Sequence, residues 1–100
     1  MAGDTSDSVS TGGTVTVRYW AAARAAAGVD SDELPVDGGT TLADVIAEVR
    51  RLHADRPRLS DVLGVCSVLV GDRPVGGREP SDVRVPPGET VELLPPFAGG

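Results

Sequence analysis

Apolar and polar residues alternate without a break from Thr14 to Trp20. Val15, Val17 and Tyr19 fall on one parity and Thr14, Thr16, Arg18 and Trp20 on the other, the period-two pattern of a strand with one buried face. AAARAAAG follows. Its alanines favour a short helix, and Gly28 stands where a left-handed C-terminal residue would end it. Residues 33–36 (ELPV) predict a second, weak strand, which Pro35 restricts to a sheet edge because it has no N–H to donate. Asp37-Gly38-Gly39 then breaks the chain.

Leu42, Val45, Ile46, Val49 and Leu52 recur at helical spacing and make one apolar stripe. Thr41 and Asp44 form a capping-box signature at its start, with Asp in place of the usual Glu. The helix must end before Pro57, because a residue that precedes proline avoids helical dihedrals. A short loop or single turn carries Leu59, Val62 and Leu63. VCSVLV (65–70) is apolar on both parities and predicts an interior strand covered by the helix. Gly71 to Pro74 is a turn, a minimal strand surrounds Val75, and residues 76–88, rich in Gly and Pro, predict a loop. TVELLPP (90–96) is the final strand, with Val91 and Leu93 facing one way and Thr90, Glu92 and Leu94 the other. This order predicts an α+β architecture, a β-grasp with a mixed sheet of about four to five strands packed on one main helix. In it the first and last strands would be parallel neighbours.

Composition narrows what such a domain can do. Fifteen acids oppose nine bases, a formal charge of −6, so affinity for a phosphate backbone is unfavourable and nucleic acid is not an expected partner. No apolar run approaches the roughly 20 residues of a membrane span, and the start of the chain lacks the basic and apolar regions of a secretory signal. The expectation is a cytoplasmic protein. Residues 1–13 (MAGDTSDSVSTGG) read as a disordered tail, 14–96 as the folded domain and 97–100 as a flexible Gly-Gly tail. The single cysteine, Cys66, excludes an internal disulfide and a four-cysteine metal site, and within an apolar strand it reads as a small buried hydrophobe. His53, alone and off the apolar stripe, reads as an exposed helical histidine. There is no catalytic triad, metal box or dinucleotide fingerprint, so no self-contained active site and no cofactor are expected.

The end of the chain carries chemistry of another kind. Pro95-Pro96-Phe97-Ala98-Gly99-Gly100 leaves the last strand through two stiffening prolines and, extended, would span about 20 Å. Gly99 and Gly100 lack Cβ and would fit a narrow channel. The Gly100 carboxylate is thus the least hindered group available for activation, and adenylation would turn one of its oxygens into a leaving group. A docking surface follows from parity: if the first and last strands are parallel, Trp20 and Leu94 share the outer face beside the tail, with Pro74 a further member. Phe97 and Ala98 would meet the same partner on the way to the glycines.

From Thr14 to Gly100 the chain resembles the MoaD/ThiS family of ubiquitin-like sulfur carriers. VTVRYWAAAR is similar to the family's first strand and following turn, with Ala21 and Arg24 at matching places. GGTTLADVIAEV resembles its helix start, and ETVELLPPFAGG its final strand and tail. The N-terminal tail and the lack of lysine depart from the pattern without touching the terminal glycines. The resemblance implies that an E1-like enzyme uses ATP to adenylate Gly100, and that sulfur from a persulfide donor then makes a C-terminal thiocarboxylate. It implies delivery of that sulfur, in MoaD-type members within the large subunit of molybdopterin synthase, in others to cysteine, thiamin or thio-metabolite synthesis. A protein modifier remains an alternative. With no lysine, however, the chain cannot be its own acceptor through a side-chain amine.

Overall fold

A computed structural model describes residues 12–96. Strand β1 (Gly12–Tyr19) leads into helix α1 (Ala21–Ala27), then β2 (Ser31–Asp37), α2 (Leu42–Leu52), α3 (Pro57–Leu63), β3 (Ser67–Val70), β4 (Arg73–Pro74) and β5 (Thr90–Leu94). The five strands form one mixed sheet in the order β2-β1-β5-β3-β4. β1 and β5 are parallel, with Thr16 opposite Thr90 and Tyr19 opposite Leu93, and the other pairs are antiparallel. The β-grasp architecture expected from the element order is the one observed.

The alternation in β1 does what its parity requires. Val15, Val17 and Tyr19 are buried, as are Val91 and Leu93 on the neighbouring β5. α2 lays Leu42, Val45 and Val49 across this face. Its first turn is closed by the Thr41–Asp44 capping box, in which the Thr41 hydroxyl accepts from the Asp44 N–H and the Asp44 carboxylate accepts from the Thr41 N–H. Gly28 ends α1 at a φ of 80°, a left-handed conformation costly for any residue with a Cβ.

Several boundaries differ from the sequence reading. β1 begins at Gly12 rather than Thr14, because β2 extends to Asp37 and supplies partners for Gly12 and Gly13. The β2 strand is correspondingly longer than residues 33–36, and it does lie at the sheet edge. Leu52 is 42 % exposed: at the last turn of α2 it has rotated off the axis of the stripe. Residues 57–63 form a helix rather than a single turn, with Pro57 at its first position, where a missing N–H costs nothing. β3 starts at Ser67, and Val65 stands 61 % exposed ahead of it. β4 occupies Arg73–Pro74, one step before the expected Val75. Within 76–88, a short 3-10 turn (Pro80–Asp82) precedes Val83 and Val85, both buried. Their backbone fastens this loop to α2: the Leu42 N–H donates to the Val83 carbonyl at 2.8 Å and the Val85 N–H to the Thr40 carbonyl at 3.0 Å.

His53 also departs from expectation. It is the C-cap of α2 and its side chain is only 12 % exposed. Its Nε2 meets Asp32 Oδ2 at 2.6 Å, and the same oxygen accepts the Tyr19 hydroxyl at 2.8 Å. The Tyr19 and His53 rings stand edge to face at 5.9 Å. Burial, reinforced by the Asp32 hydrogen bond and charge, pushes the Tyr19 phenol well above its ordinary range. The cluster ties the edge strand to the end of the main helix.

Candidate functional site

The parallel pairing of β1 with β5 sets the geometry of the outer sheet face. Inner positions Tyr19 and Leu93 oppose each other, so their neighbours Trp20 and Leu94 both turn outward at the same end of the sheet. The Trp20 N–H donates to the Leu93 carbonyl at 3.2 Å, which fastens the end of β1 to the last turn of the β5 ladder. Trp20 is 39 % exposed and Leu94 half-buried. Pairing continues outward from β5: Glu92 opposes Leu69, and Leu69 opposes Pro74, which is exposed. Trp20, Leu94 and Pro74 therefore lie on one face, Pro74 on the far edge strand. In the loop of residues 76–88, Val83 and Val85 turn into the core, while Trp20 stays partly open to solvent. The remaining site residues expected from the sequence, Phe97, Ala98, Gly99 and Gly100, lie outside the described residues.

Two residues that the sequence reading did not single out hold the indole. The Arg18 guanidinium carbon lies 4.9 Å from the centre of the Trp20 ring. Trp20 Nε1 donates to Glu92 Oε1 at 3.0 Å. The only signal in the sequence was shared parity: Arg18 precedes Trp20 by two, and Glu92 shares the outward parity of Leu94 on a strand 72 residues away.

Nothing else described has the makings of a reaction centre. Cys66 is half-buried, and burial pushes its thiol up, away from the thiolate that sulfur chemistry would need. Among the described residues, the side-chain hydrogen bonds of the Tyr19–Asp32–His53 cluster run only within it and reach no serine, threonine or cysteine. No group of three or more metal-ligating side chains occurs among the described residues. A groove of about 420 Å³ between α1 and α3 is floored by Ala22, Ala25 and Ala26 and edged by Asp55, Arg56 and Arg58. No described helix is long and apolar enough to cross a membrane.

A mixed β-grasp sheet, with an aromatic and aliphatic outer face where the last strand ends, defines a ubiquitin-like domain. Comparison with known proteins gives it a lineage: the ThiS family model matches residues 17–100, and this chain belongs to that family of ubiquitin-like sulfur carriers or modifiers. Among solved structures, the Haloferax volcanii HVO 2177 protein is 28% identical, with 90% of this chain and 89% of that chain covered at a TM-score of 0.67. Small archaeal modifier protein 1 from the same organism is 24% identical over 88% of this chain and 100% of its own, also at 0.67. A protein–protein complex of subunits 1 and 2 of the molybdopterin-converting factor from Helicobacter pylori matches at 21% identity, 87% and 99% coverage and a TM-score of 0.54. No curated protein matches this chain.

Proposed function

We propose that this chain is a cytoplasmic sulfur carrier whose working group is the carboxylate of Gly100. An E1-like partner binds the domain and ATP. A carboxylate oxygen of Gly100 attacks the α-phosphorus, pyrophosphate leaves, and the acyl adenylate forms. A persulfide sulfur on a donor protein then attacks the acyl carbon and expels AMP; a thiol cleaves the resulting acyl disulfide and leaves the C-terminal thiocarboxylate. That sulfur is a softer nucleophile than the original oxygen, and tethering it to a domain delivers it at high effective concentration. The carrier needs no cofactor of its own, since ATP is consumed by its partner.

The observation that carries this reading is the family match, which runs through Pro95-Pro96-Phe97-Ala98-Gly99-Gly100 and not only through the folded core. The acceptor we favour is the large subunit of molybdopterin synthase, with this chain as the small subunit; the Helicobacter pylori complex supports it by analogy. Trp20, Leu94 and Pro74 would form the docking face, and Phe97 and Ala98 would thread toward the acceptor site. The likeness to a small archaeal modifier favours a second reading, attachment of Gly100 to a lysine of another protein. Gly-Gly remnants on lysines in a cell digest would mark it.

The first step is testable by isotope exchange. Mixed with an E1-like enzyme, ATP and labelled pyrophosphate, the chain is expected to support incorporation of label into ATP, because adenylation is reversible. A variant lacking Gly99 and Gly100 is expected to support none. Exchange that proceeds equally well with the truncated chain would remove Gly100 from the mechanism.

A further inference from the structure

An exposed indole is ordinarily free to change rotamer, yet Trp20 is restrained by two neighbouring side chains and by its own backbone. Arg18 covers one ring face at 4.9 Å, and Glu92 takes the only polar hydrogen at 3.0 Å. The backbone adds a third restraint: Trp20 N–H is bonded to Leu93, and the following Ala21 turns at a φ of 49°, a left-handed conformation that costs an alanine energy. Arg18 itself makes no ion pair with any described residue, although it is exposed in a chain of formal charge −6. The domain core does not use this arrangement, since neither Arg18 nor Trp20 is among the buried residues.

We infer that Arg18 and Glu92 are positioning residues that hold Trp20 as a preset anchor for the adenylating partner, whose receiving pocket is apolar and bordered by a carboxylate that pairs with Arg18. This rests on the proposed carrier function. The apolar character follows from the satisfied N–H: with Glu92 accepting it, the pocket has no need to supply an acceptor, and an unpaired acceptor there would be desolvated at a cost. The carboxylate follows from charge complementarity, since a guanidinium lying on an aromatic face keeps its edge donors available for a planar anion. Holding the rotamer before encounter removes part of the ordering cost of binding. The adenylating enzyme is the partner chosen because every acceptor pathway requires it.

Trp20 is the only tryptophan, so its fluorescence reads the restraint in the free protein. The anisotropy decay of the parent is expected to follow the tumbling of the whole domain, with a fast local component appearing in Arg18→Ala and Glu92→Ala. A fast component already present in the parent overturns the restraint. Steady-state adenylation supplies the second readout. Glu92→Ala is expected to raise KM about tenfold with little change in kcat, and Glu92→Gln, which keeps the accepting oxygen, to recover most of it. Trp20→Ala is expected to raise KM about thirtyfold, and Trp20→Phe, which keeps an aromatic ring without the N–H, to cost less. Arg18→Glu is expected to be worse than Arg18→Ala. Equal KM values for parent and Trp20→Ala would overturn the anchor while leaving the carrier reading intact. Trp20→Phe as damaging as Trp20→Ala would overturn the apolar pocket, and Arg18→Glu no worse than Arg18→Ala would overturn the carboxylate. A parent that is never adenylated defeats the carrier reading, and this inference with it.

Discussion

A chain extended by one residue beyond Gly100 is expected to lose adenylation and sulfur transfer by more than a hundredfold, with its melting temperature unchanged. The extension moves the carboxylate by about 3.5 Å, one residue of extended chain. Misplacement of a reacting group by only ~1 Å can already cost a hundredfold in rate. Gly99→Ala is expected to impair both steps less severely, since a methyl group narrows the fit of the backbone and disfavours positive φ without moving the end of the chain. Stability is expected to be indifferent because every buried apolar side chain among the described residues lies at or before Leu93. Adenylate formation measured beside a melting curve separates the two effects. An extended chain that is adenylated as fast as the parent would mean that another group does the work.

Alkali is expected to unfold this domain through one identifiable side chain. The Tyr19 phenol, raised by burial and by Asp32, stays protonated in the fold above the pH at which an unfolded tyrosine ionises, about 10. Its contribution is complete below that pH and is lost as pH rises. Above it the unfolded chain binds fewer protons, so the free energy of unfolding falls by up to ~1.4 kcal/mol per pH unit. The half-buried Cys66 thiol, also pushed up by desolvation, acts in the same direction from a lower starting pH. The chain has no lysine and only one tyrosine, so no other side-chain amine or phenol titrates here. Denaturant melts from about pH 9 to 11.5 are expected to show this decline, and Tyr19→Phe to remove most of it above pH ~10 while starting less stable at neutral pH. A parent whose stability stays flat over this range would show that Tyr19 ionises freely in the fold.

What was legible in the sequence was what local periodicity and turn chemistry determine. The β1 alternation, the capping box at Thr41, the stop at Gly28 and the parity of β5 each rest on neighbours within a few residues. Together they were enough to order the elements and to place Trp20 outside the core. The misses came from contacts between distant segments. Val83 and Val85 sit among prolines, glycines and charges that mark a loop, and only docking against α2 makes them core. His53 gives no local hint of Asp32, which lies 21 residues earlier on an edge strand. The pair that holds Trp20 was half visible: parity placed Arg18 and Glu92 on the outer face, but only the β1–β5 register brings them to one ring.

The central claim is that Gly100 carries sulfur, and an intact mass spectrum tests it most directly. The full chain is incubated with an E1-like enzyme, ATP, a persulfide donor and a reducing thiol, then desalted and measured. The expected product has one oxygen exchanged for sulfur, localised by fragmentation to the peptide ending in Gly100. A mass that does not change, with an enzyme and donor shown to thiolate another carrier, would contradict the account.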